Sequence, residues 1–399
     1  MSKRTGTLFN MGFTKGRHTL GFIFLLAFII RLLFVLQSSD IPTADAYIYD
    51  GLGLSLSQGN GYVNMYGSPH SFYPPFYPFF LSLIYAIFGH SYLAVRIIQS
   101  ILGALTCVFI YSIGNRLKGS AVGVLSASVA ALYFVFIKSA ELLLTESFFT
   151  FLLCAIVFYI LKIREKEAVL KNYAILGLLI GVSLLTKSAM MFFPLFLLPV
   201  FIDIKKDRTK KYLLMLLFFV LTVSPWLIRN YNVFHGFIGV STQSGIGFYS
   251  SYRPPEGIFG RLATSDDPVI REAGNIASPV LRSNFLIKKT FEFISENPVE
   301  VLRLELKKIL SFWAPFDWEI VGGRWFNFVY AAILPFFAVG ALLSLKEFKK
   351  IYPVLLPIIY FQIVALVFYG SPRFRLPVEP YIFILATVGF LVCWRRWRV

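Results

Sequence analysis

Charge is scarce in this chain. Asp, Glu, Lys and Arg together make up 15% of 399 residues, where a soluble domain carries about a quarter, so water is not the main solvent of the protein. Cysteine is scarcer, at three residues. Cys107, Cys154 and Cys393 all lie inside apolar runs, which excludes a disulfide framework and a Cys-based metal site and reads as small buried hydrophobes. The four histidines show no ligand spacing. No P-loop or dinucleotide fingerprint occurs, since Gly51-x-Gly53 has neither a preceding strand nor a third glycine. No internal repeat is visible. The first apolar run, Leu20–Leu36, is too long for a signal-peptide core and no small-residue cleavage site follows it, so it is expected to remain as a span.

What is present is apolar: 57% of residues are hydrophobic and 18% aromatic, with a mean hydropathy of +0.69. Reading for runs of roughly 20 apolar residues gives ten spans: Thr19–Gln37, Tyr92–Gly114, Ala121–Phe136, Leu142–Leu161, Tyr173–Lys187, Ala189–Ile204, Leu213–Ile228, Phe326–Leu345, Tyr352–Tyr369 and Val378–Trp394. Several are short, which implies burial among neighbours or local thinning of the bilayer, and the pair around Thr186-Lys187-Ser188 also reads as one broken hairpin. The expected fold is therefore all-α, a polytopic transmembrane helix bundle.

The net charge of +17 would suit nucleic acid, but its distribution does not. With Lys3, Arg4, Lys15 and Arg17 placed inside, the basic clusters Arg116/Lys118, Lys162/Arg164/Lys166, Lys205/Lys206/Arg208/Lys210/Lys211, Lys346/Lys349/Lys350 and Arg395/Arg396/Arg398 all fall on the cytoplasmic side, as retained loops require. Both termini are then cytoplasmic in a cell membrane, and nucleic acid is not a partner. The parity holds if Phe76–Phe88, which opens on Tyr73-Pro74-Pro75, is interfacial or re-entrant and does not cross.

Three regions follow: 1–229 with a first outer loop at 38–91, an outer loop at 230–325, and 326–399. The segment Ser38–Tyr73 holds Asp40, Asp45, Asp50 and His70. Asn230–Arg324 carries turn signals (Arg253-Pro254-Pro255, Asp266-Asp267-Pro268) and an amphipathic stretch, Leu281–Phe312, expected to lie on the membrane surface. Leu302, Leu306, Ile309 and Leu310 form its apolar face, with Arg303, Lys307 and Lys308 opposite.

Asp45, just past the first span, reads either as a helix N-cap for Ala46–Ser57 or as a carboxylate at the membrane–water boundary suited to general-base work. Asp50 falls elsewhere on that helix, so the two do not form a pair. Glu141 and Glu146 flank the outer end of the fourth span. The deeper Glu146 is either a functional carboxylate or a structural partner for Lys138 or Lys187, because a charge inside an apolar run is costly. Arg31, Arg96, Lys138, Lys187, Arg229, Arg373 and Arg375 sit within or at the rims of spans. Each alone can snorkel to headgroups; together they suit an anionic ligand in the outer leaflet, with arginine able to grip phosphate through two hydrogen bonds.

In order along the chain, Asp45, Tyr73-Pro74-Pro75-Phe76-Tyr77-Pro78, Leu144-Thr145-Glu146, Leu185-Thr186-Lys187, Ser224-Pro225-Trp226-x-x-Arg229-Asn230, Asn297-Pro298, Phe312-Trp313-Ala314-Pro315 and Arg373-x-Arg375-Leu376-Pro377 resemble the membrane-embedded GT-C glycosyltransferases. The likeness is to the branch holding protein O-mannosyltransferases and lipid A aminoarabinose transferases. It implies transfer of a sugar, with inversion, from a polyprenyl-phosphate donor to a glycan, lipid or protein acceptor at the extracytoplasmic face. By the same resemblance Asp45 deprotonates the acceptor hydroxyl, and His70, Tyr73, Arg229, Arg373 and Arg375, then Lys187, are expected at the donor phosphate; Glu146, for its place inside an apolar run, is the second expected catalytic carboxylate.

The chain departs from those families in three places. Ala46 follows Asp45 where the mannosyltransferases have Glu, Phe72-Tyr73 stands where the aminoarabinose transferases have Lys, and the tail Trp394–Val399 carries no soluble domain. No metal is written in the sequence and no cofactor is expected to be required, although Asp45 and Glu146 could share a divalent cation. The competing reading is a multi-span lipid or sugar transporter or flippase, against which stand the absence of paired repeats and the gathering of charges at one rim.

Overall fold

The computed structural model describes residues 16–164, 169–202, 207–253, 262–317, 320 and 325–397. Lys3, Arg4, Lys15, Lys166, Lys205, Lys206, Pro254, Pro255, Arg324 and Arg398, all used in the readings above, lie outside the described residues.

Helices stand at every predicted span. The first is α1 (Gly16–Leu36), and the loop after it carries α2 (Asp45–Ser57) and α3 (Phe76–Phe88). Next come α4 (Tyr92–Lys118), α5 (Ser120–Leu132), the short α6 (Phe134–Ser139), α7 (Thr145–Ile163) and α8 (Leu170–Thr186). The sixth predicted span is broken into α9 (Phe193–Phe196) and α10 (Leu198–Ile202), and α11 (Arg208–Phe234) is long and continuous. The stretch between α11 and the last long helices holds α12 (Gln243–Ser250), α13 (Pro268–Gly274), α14 (Pro279–Glu296) and α15 (Pro298–Trp313). The chain closes with α16 (Phe328–Ser344), α17 (Phe348–Val367), α18 (Pro372–Arg375) and α19 (Glu379–Trp397). A two-residue antiparallel ribbon, β1 (Phe316–Asp317) with β2 (Trp325–Phe326), stands between α15 and α16.

Among the described residues, six segments are long and apolar enough to cross a membrane: His18–Leu36, Tyr92–Lys118, Thr145–Ile163, Arg208–Phe234, Phe328–Val367, which contains both α16 and α17, and Pro372–Trp397. The apolar helices at Ser120–Leu132, Leu170–Thr186 and Phe193–Ile202 are shorter. They are packed between longer neighbours, α5 against α4 and α19, and α8 against α7 and α11. The protein is thus a polytopic transmembrane helix bundle. At one end Lys118 pairs with Glu347 at 2.8 Å and Arg164 donates to the Lys349 carbonyl at 2.7 Å. This gathers the basic ends of α4 and α7 with the α16–α17 turn, at the end of α4 away from the loop that carries α2 and α3.

Helix crossings tighten where glycine lets backbones touch. A Cβ on Gly340 of α16 would lie 1.9 Å from the Leu385 carbonyl oxygen of α19, and one on Gly389 would lie 2.0 Å from that of Phe336. Without a hydrophobic drive between helices in lipid, such contact supplies the association through dispersion. Gly340→Ala is therefore expected to force α16 from α19 and destabilise the protein by about 1–3 kcal/mol, read as a lower melting temperature in detergent.

Three sequence expectations need correction. The amphipathic stretch is two helices, α14 and α15, divided at Asn297-Pro298, where proline opens the second helix. Leu302, Leu306 and Leu310 do share one side of α15, but Lys308 is on its buried side, donating to Glu305 at 3.1 Å and to the Leu366 carbonyl at 2.7 Å, with its ammonium 3.9 Å from the Tyr252 ring centre. The outward side instead combines those leucines with Arg303 and Lys307, a pattern for a helix at the headgroup level. Cys107 and Cys154 are buried as read, whereas Cys393 is exposed near the end of α19.

Candidate functional site

The loop after α1 delivers Asp45 to the rim of the bundle. Pro42-Thr43-Ala44 turns sharply into α2, and Ala44 has φ 50° and ψ −126°, a backbone state that costs a non-glycine residue free energy and is held by its surroundings. Asp45 is the first helical residue and Ala44 the cap, with no side-chain capping bond. The N-cap reading is therefore not realised, and the carboxylate turns to other partners.

Its two direct partners, and the network they extend, come from four parts of the chain. Asp45 Oδ1 accepts from the Tyr73 hydroxyl at 2.6 Å, and Oδ2 accepts from Arg373 Nη1 at 3.0 Å. Arg373 Nε donates to Glu146 Oε1 at 2.7 Å, and Lys187 Nζ donates to the same oxygen at 3.1 Å. Glu146 enters at the start of α7, Lys187 at the extended C-cap of α8, and Arg373 on α18, which Ser371 caps by accepting from the Arg373 N–H. Glu146 is fully buried while the Asp45 side chain is 35% exposed. The four charges cancel, which is what permits two carboxylates to sit together at the edge of an apolar bundle. Five of the residues singled out from the sequence thus form one connected chain, Tyr73–Asp45–Arg373–Glu146–Lys187.

His70 and Arg229 stand behind Tyr73. Arg229 donates to the His70 carbonyl at 2.9 Å and the Tyr62 carbonyl at 3.1 Å, and packs over Trp226 at 4.8 Å. His70 Nε2 accepts from the Tyr73 N–H at 3.2 Å, and the two rings stack at 5.8 Å. Burial, with Arg229 adding to it, pushes the His70 imidazole down to about 4, so it stays neutral and able to accept. Burial and the adjoining Asp45 carboxylate push the Tyr73 phenol up, which keeps it a hydrogen-bond donor. Arg375 is elsewhere: it is buried, pairs with Glu379 at 2.9 Å and donates to the Phe312 and Ala314 carbonyls at 2.7 Å each.

A cavity of about 480 Å³ opens beside Asp45 and Arg373, walled by Asp40, Arg96, Glu141 and the apolar Leu142–Leu144 turn. Its wall is braced from behind. Arg96 donates to the carbonyls of Glu141 at 3.0 Å and Ser38 at 3.3 Å and to that of Asp40, and Lys138 pairs with Asp40 at 3.1 Å and Glu141 at 2.5 Å. Lys138 therefore serves Glu141 and not Glu146. Arg31, fully buried, donates to the Ala27, Ala130 and Ala131 carbonyls and ties α1 to α5. Two residues of this end escape a sequence reading. Gln99 accepts from the Tyr77 hydroxyl at 2.8 Å and donates to the Ala140 and Leu142 carbonyls, and Tyr62 donates to the Tyr73 carbonyl at 2.9 Å. A polar amide in the middle of α4 was the signal available for the first; the second had none.

The donor set does not fit a shared metal as arranged. Arg373 already bridges the two carboxylates that could hold one, and among the described residues no group of three His, Cys, Asp or Glu side chains converges.

Residues 73–228 match the family described as dolichyl-phosphate-mannose-protein mannosyltransferase. No curated protein sequence matches the chain. Among solved structures, the archaeal oligosaccharyltransferase AglB from Archaeoglobus fulgidus, in complex with an inhibitory peptide and a dolichol-phosphate, superposes with a TM-score of 0.60 at 15% identity, over 95% of this chain and 50% of that one. The same enzyme with Zn and sulfate gives a TM-score of 0.59 at 15% identity, over 95% and 49%. ArnT from Cupriavidus metallidurans bound to undecaprenyl phosphate gives 0.46 at 14% identity, over 96% and 79%, a score at which it adds no weight. The chain spans about half the length of the archaeal oligosaccharyltransferase. The chain thus shares its helical membrane fold with the archaeal oligosaccharyltransferase, and its residues 73–228 are similar to the mannosyltransferase family.

Proposed function

We propose that the protein transfers a sugar from a polyprenyl-phosphate donor to an acceptor hydroxyl at the extracytoplasmic membrane face. The observation that carries this reading is the placement of Asp45: a carboxylate at the rim of a membrane bundle, beside a cavity, with Arg373 and Lys187 within the same network. A lipid-linked donor has its tail in the bilayer and its phosphate at the interface, and such a rim meets both. Asp45, Glu146 and Lys187 come from region 1–229 and Arg373 from region 326–399, so the site is complete once the two regions pack together. The basic end of the bundle faces the cytoplasm in this reading, with both termini there.

The reaction needs three things from the chain. Asp45 takes the acceptor hydroxyl proton as that oxygen bonds to the anomeric carbon. The bond from that carbon to the phosphate oxygen breaks, its electron pair stays with the phosphate, and the sugar inverts. The phosphate goes from one negative charge to two, and Arg373 and Lys187 lie ready to hold that growing charge, the type of preorganised stabilisation that most lowers such barriers. Glu146 fixes both cations. His70 and Arg229 hold Tyr73, whose hydroxyl orients Asp45.

The direct test offers the purified protein a panel of radiolabelled polyprenyl-phosphate sugars together with membrane extract. Label leaving the lipid for an acceptor is expected, and the labelled product names the acceptor class. If no donor is bound or consumed, the proposal fails.

A further inference from the structure

We infer that Asp45 is held in store as a base by Arg373, and that the phosphate of the incoming donor releases it by taking Arg373 over. This rests on the proposed glycosyl transfer and adds an order to it: donor first, acceptor second.

Both oxygens of Asp45 are engaged, Oδ1 by the Tyr73 hydroxyl at 2.6 Å and Oδ2 by Arg373 at 3.0 Å. An acceptor hydroxyl must reach a carboxylate oxygen within about 2.6–3.2 Å to be deprotonated, and each Asp45 oxygen already accepts one hydrogen bond in this arrangement. The two bonds differ. The tyrosine bond leaves a lone pair on Oδ1 but fixes the carboxylate's direction. The guanidinium occupies Oδ2 with a charge-assisted bond and stands on the side shared with the cavity, since Asp45 and Arg373 both line it.

Arg373 also has two carboxylates to choose between, and they are unequal. Glu146 is buried, and losing part of its neutralisation would strand charge inside the bundle, which is strongly destabilising. Asp45 is partly exposed at 35% and keeps the Tyr73 bond if Arg373 leaves. An anion arriving in the cavity therefore displaces Asp45 from Arg373 and leaves Glu146 in place. The phosphodiester of a lipid-linked sugar is such an anion, and guanidinium binds phosphate oxygens as readily as carboxylate ones. Once Arg373 has moved its Nη1 to the phosphate, Oδ2 of Asp45 is open to an acceptor hydroxyl, which for inversion meets the anomeric carbon on the face opposite the departing phosphate oxygen. When the lipid phosphate departs after transfer, Arg373 returns to Asp45 and closes the base again. The same guanidinium thus keeps Asp45 covered in the empty protein and steadies the leaving group in the loaded one.

The test is an equilibrium binding measurement with a labelled polyprenyl phosphate lacking sugar, on the full chain in nanodiscs. Asp45→Asn and Asp45→Ala both remove the competitor for Arg373, and each is expected to bind the lipid phosphate about three- to tenfold more tightly than wild type, the size of a partly exposed ion pair. In an Arg373→Ala background the same Asp45 changes are expected to bring no gain. Two results overturn the inference: equal or weaker binding by both Asp45 variants, or a gain that persists without Arg373, which would make it simple repulsion between Asp45 and phosphate. Either leaves the glycosyl-transfer reading standing if wild type still transfers label. Absence of binding by wild type and every variant, together with absence of transfer, removes both.

Discussion

Asp45→Asn is expected to lower the rate of sugar transfer by about 10²–10⁴-fold, the usual contribution of a positioned general base, with the protein still folded. Asparagine has the same shape and can still accept from the Tyr73 hydroxyl, but it cannot take a proton from the acceptor. The stability cost is small because the Asp45–Arg373 pair is partly open to solvent, with the Asp45 side chain 35% and the Arg373 side chain 20% exposed. Ion pairs of that exposure contribute about 0–1 kcal/mol. The measurement is turnover of a radiolabelled donor beside a melting curve in detergent. Wild-type turnover in the variant would remove Asp45 from the chemistry. A large fall in melting temperature would show that its role is structural. Only loss of turnover with an unchanged melt agrees with a base.

Hydropathy carried most of the architecture, because in lipid every backbone polar group must be satisfied within a helix and a span needs a minimum length. Phe76–Phe88 reads as interfacial from its 13 residues and its Pro-Pro entry, and α3 occupies that range. Asp45, Glu146, Lys187 and Arg373 were visible for a related reason. Charges beside or inside apolar runs are costly, so those that persist are paired or functional. Which of the two roles each plays was not legible. Arg373 and Arg375 are two residues apart in one short motif and look alike in sequence. The α18 turn sends one to the two carboxylates and the other into the packed junction of α15, α16 and α19. The placements of Arg229 and Lys308 were hidden in the same manner. Each is spent on carbonyl oxygens that no pattern of side chains reveals.

Arg375→Ala is expected to be the most destabilising single change at this end of the molecule, by about 3–5 kcal/mol, the cost of breaking a buried ion pair from one side. Arg375 and Glu379 are both essentially buried, at 1% and 2% side-chain exposure. The guanidinium also satisfies the Phe312 and Ala314 carbonyls, where α15 ends and its last C=O groups need partners, and its face lies 3.7 Å over the Tyr330 ring. Alanine removes all of these at once. Lysine restores charge but not the planar fork that serves three oxygens in different directions, so Arg375→Lys is expected to recover only part of the loss. The apolar double variant Arg375→Met with Glu379→Leu separates the terms. It removes the stranded carboxylate while leaving the two carbonyls orphaned, and should melt above Arg375→Ala and below wild type. Activity falls along with stability, because Arg375 anchors the turn that aims Arg373 at Asp45 and Glu146. Its signature as a positioning residue is distinct from that of Asp45. Transfer by the Arg375 variants should recover in step with the melting temperature across the series, whereas no stabilising condition restores Asp45→Asn. Full stability in Arg375→Ala would mean that water or a repacked neighbour satisfies this junction, and that α18 is held by its cap at Ser371 and its packing alone.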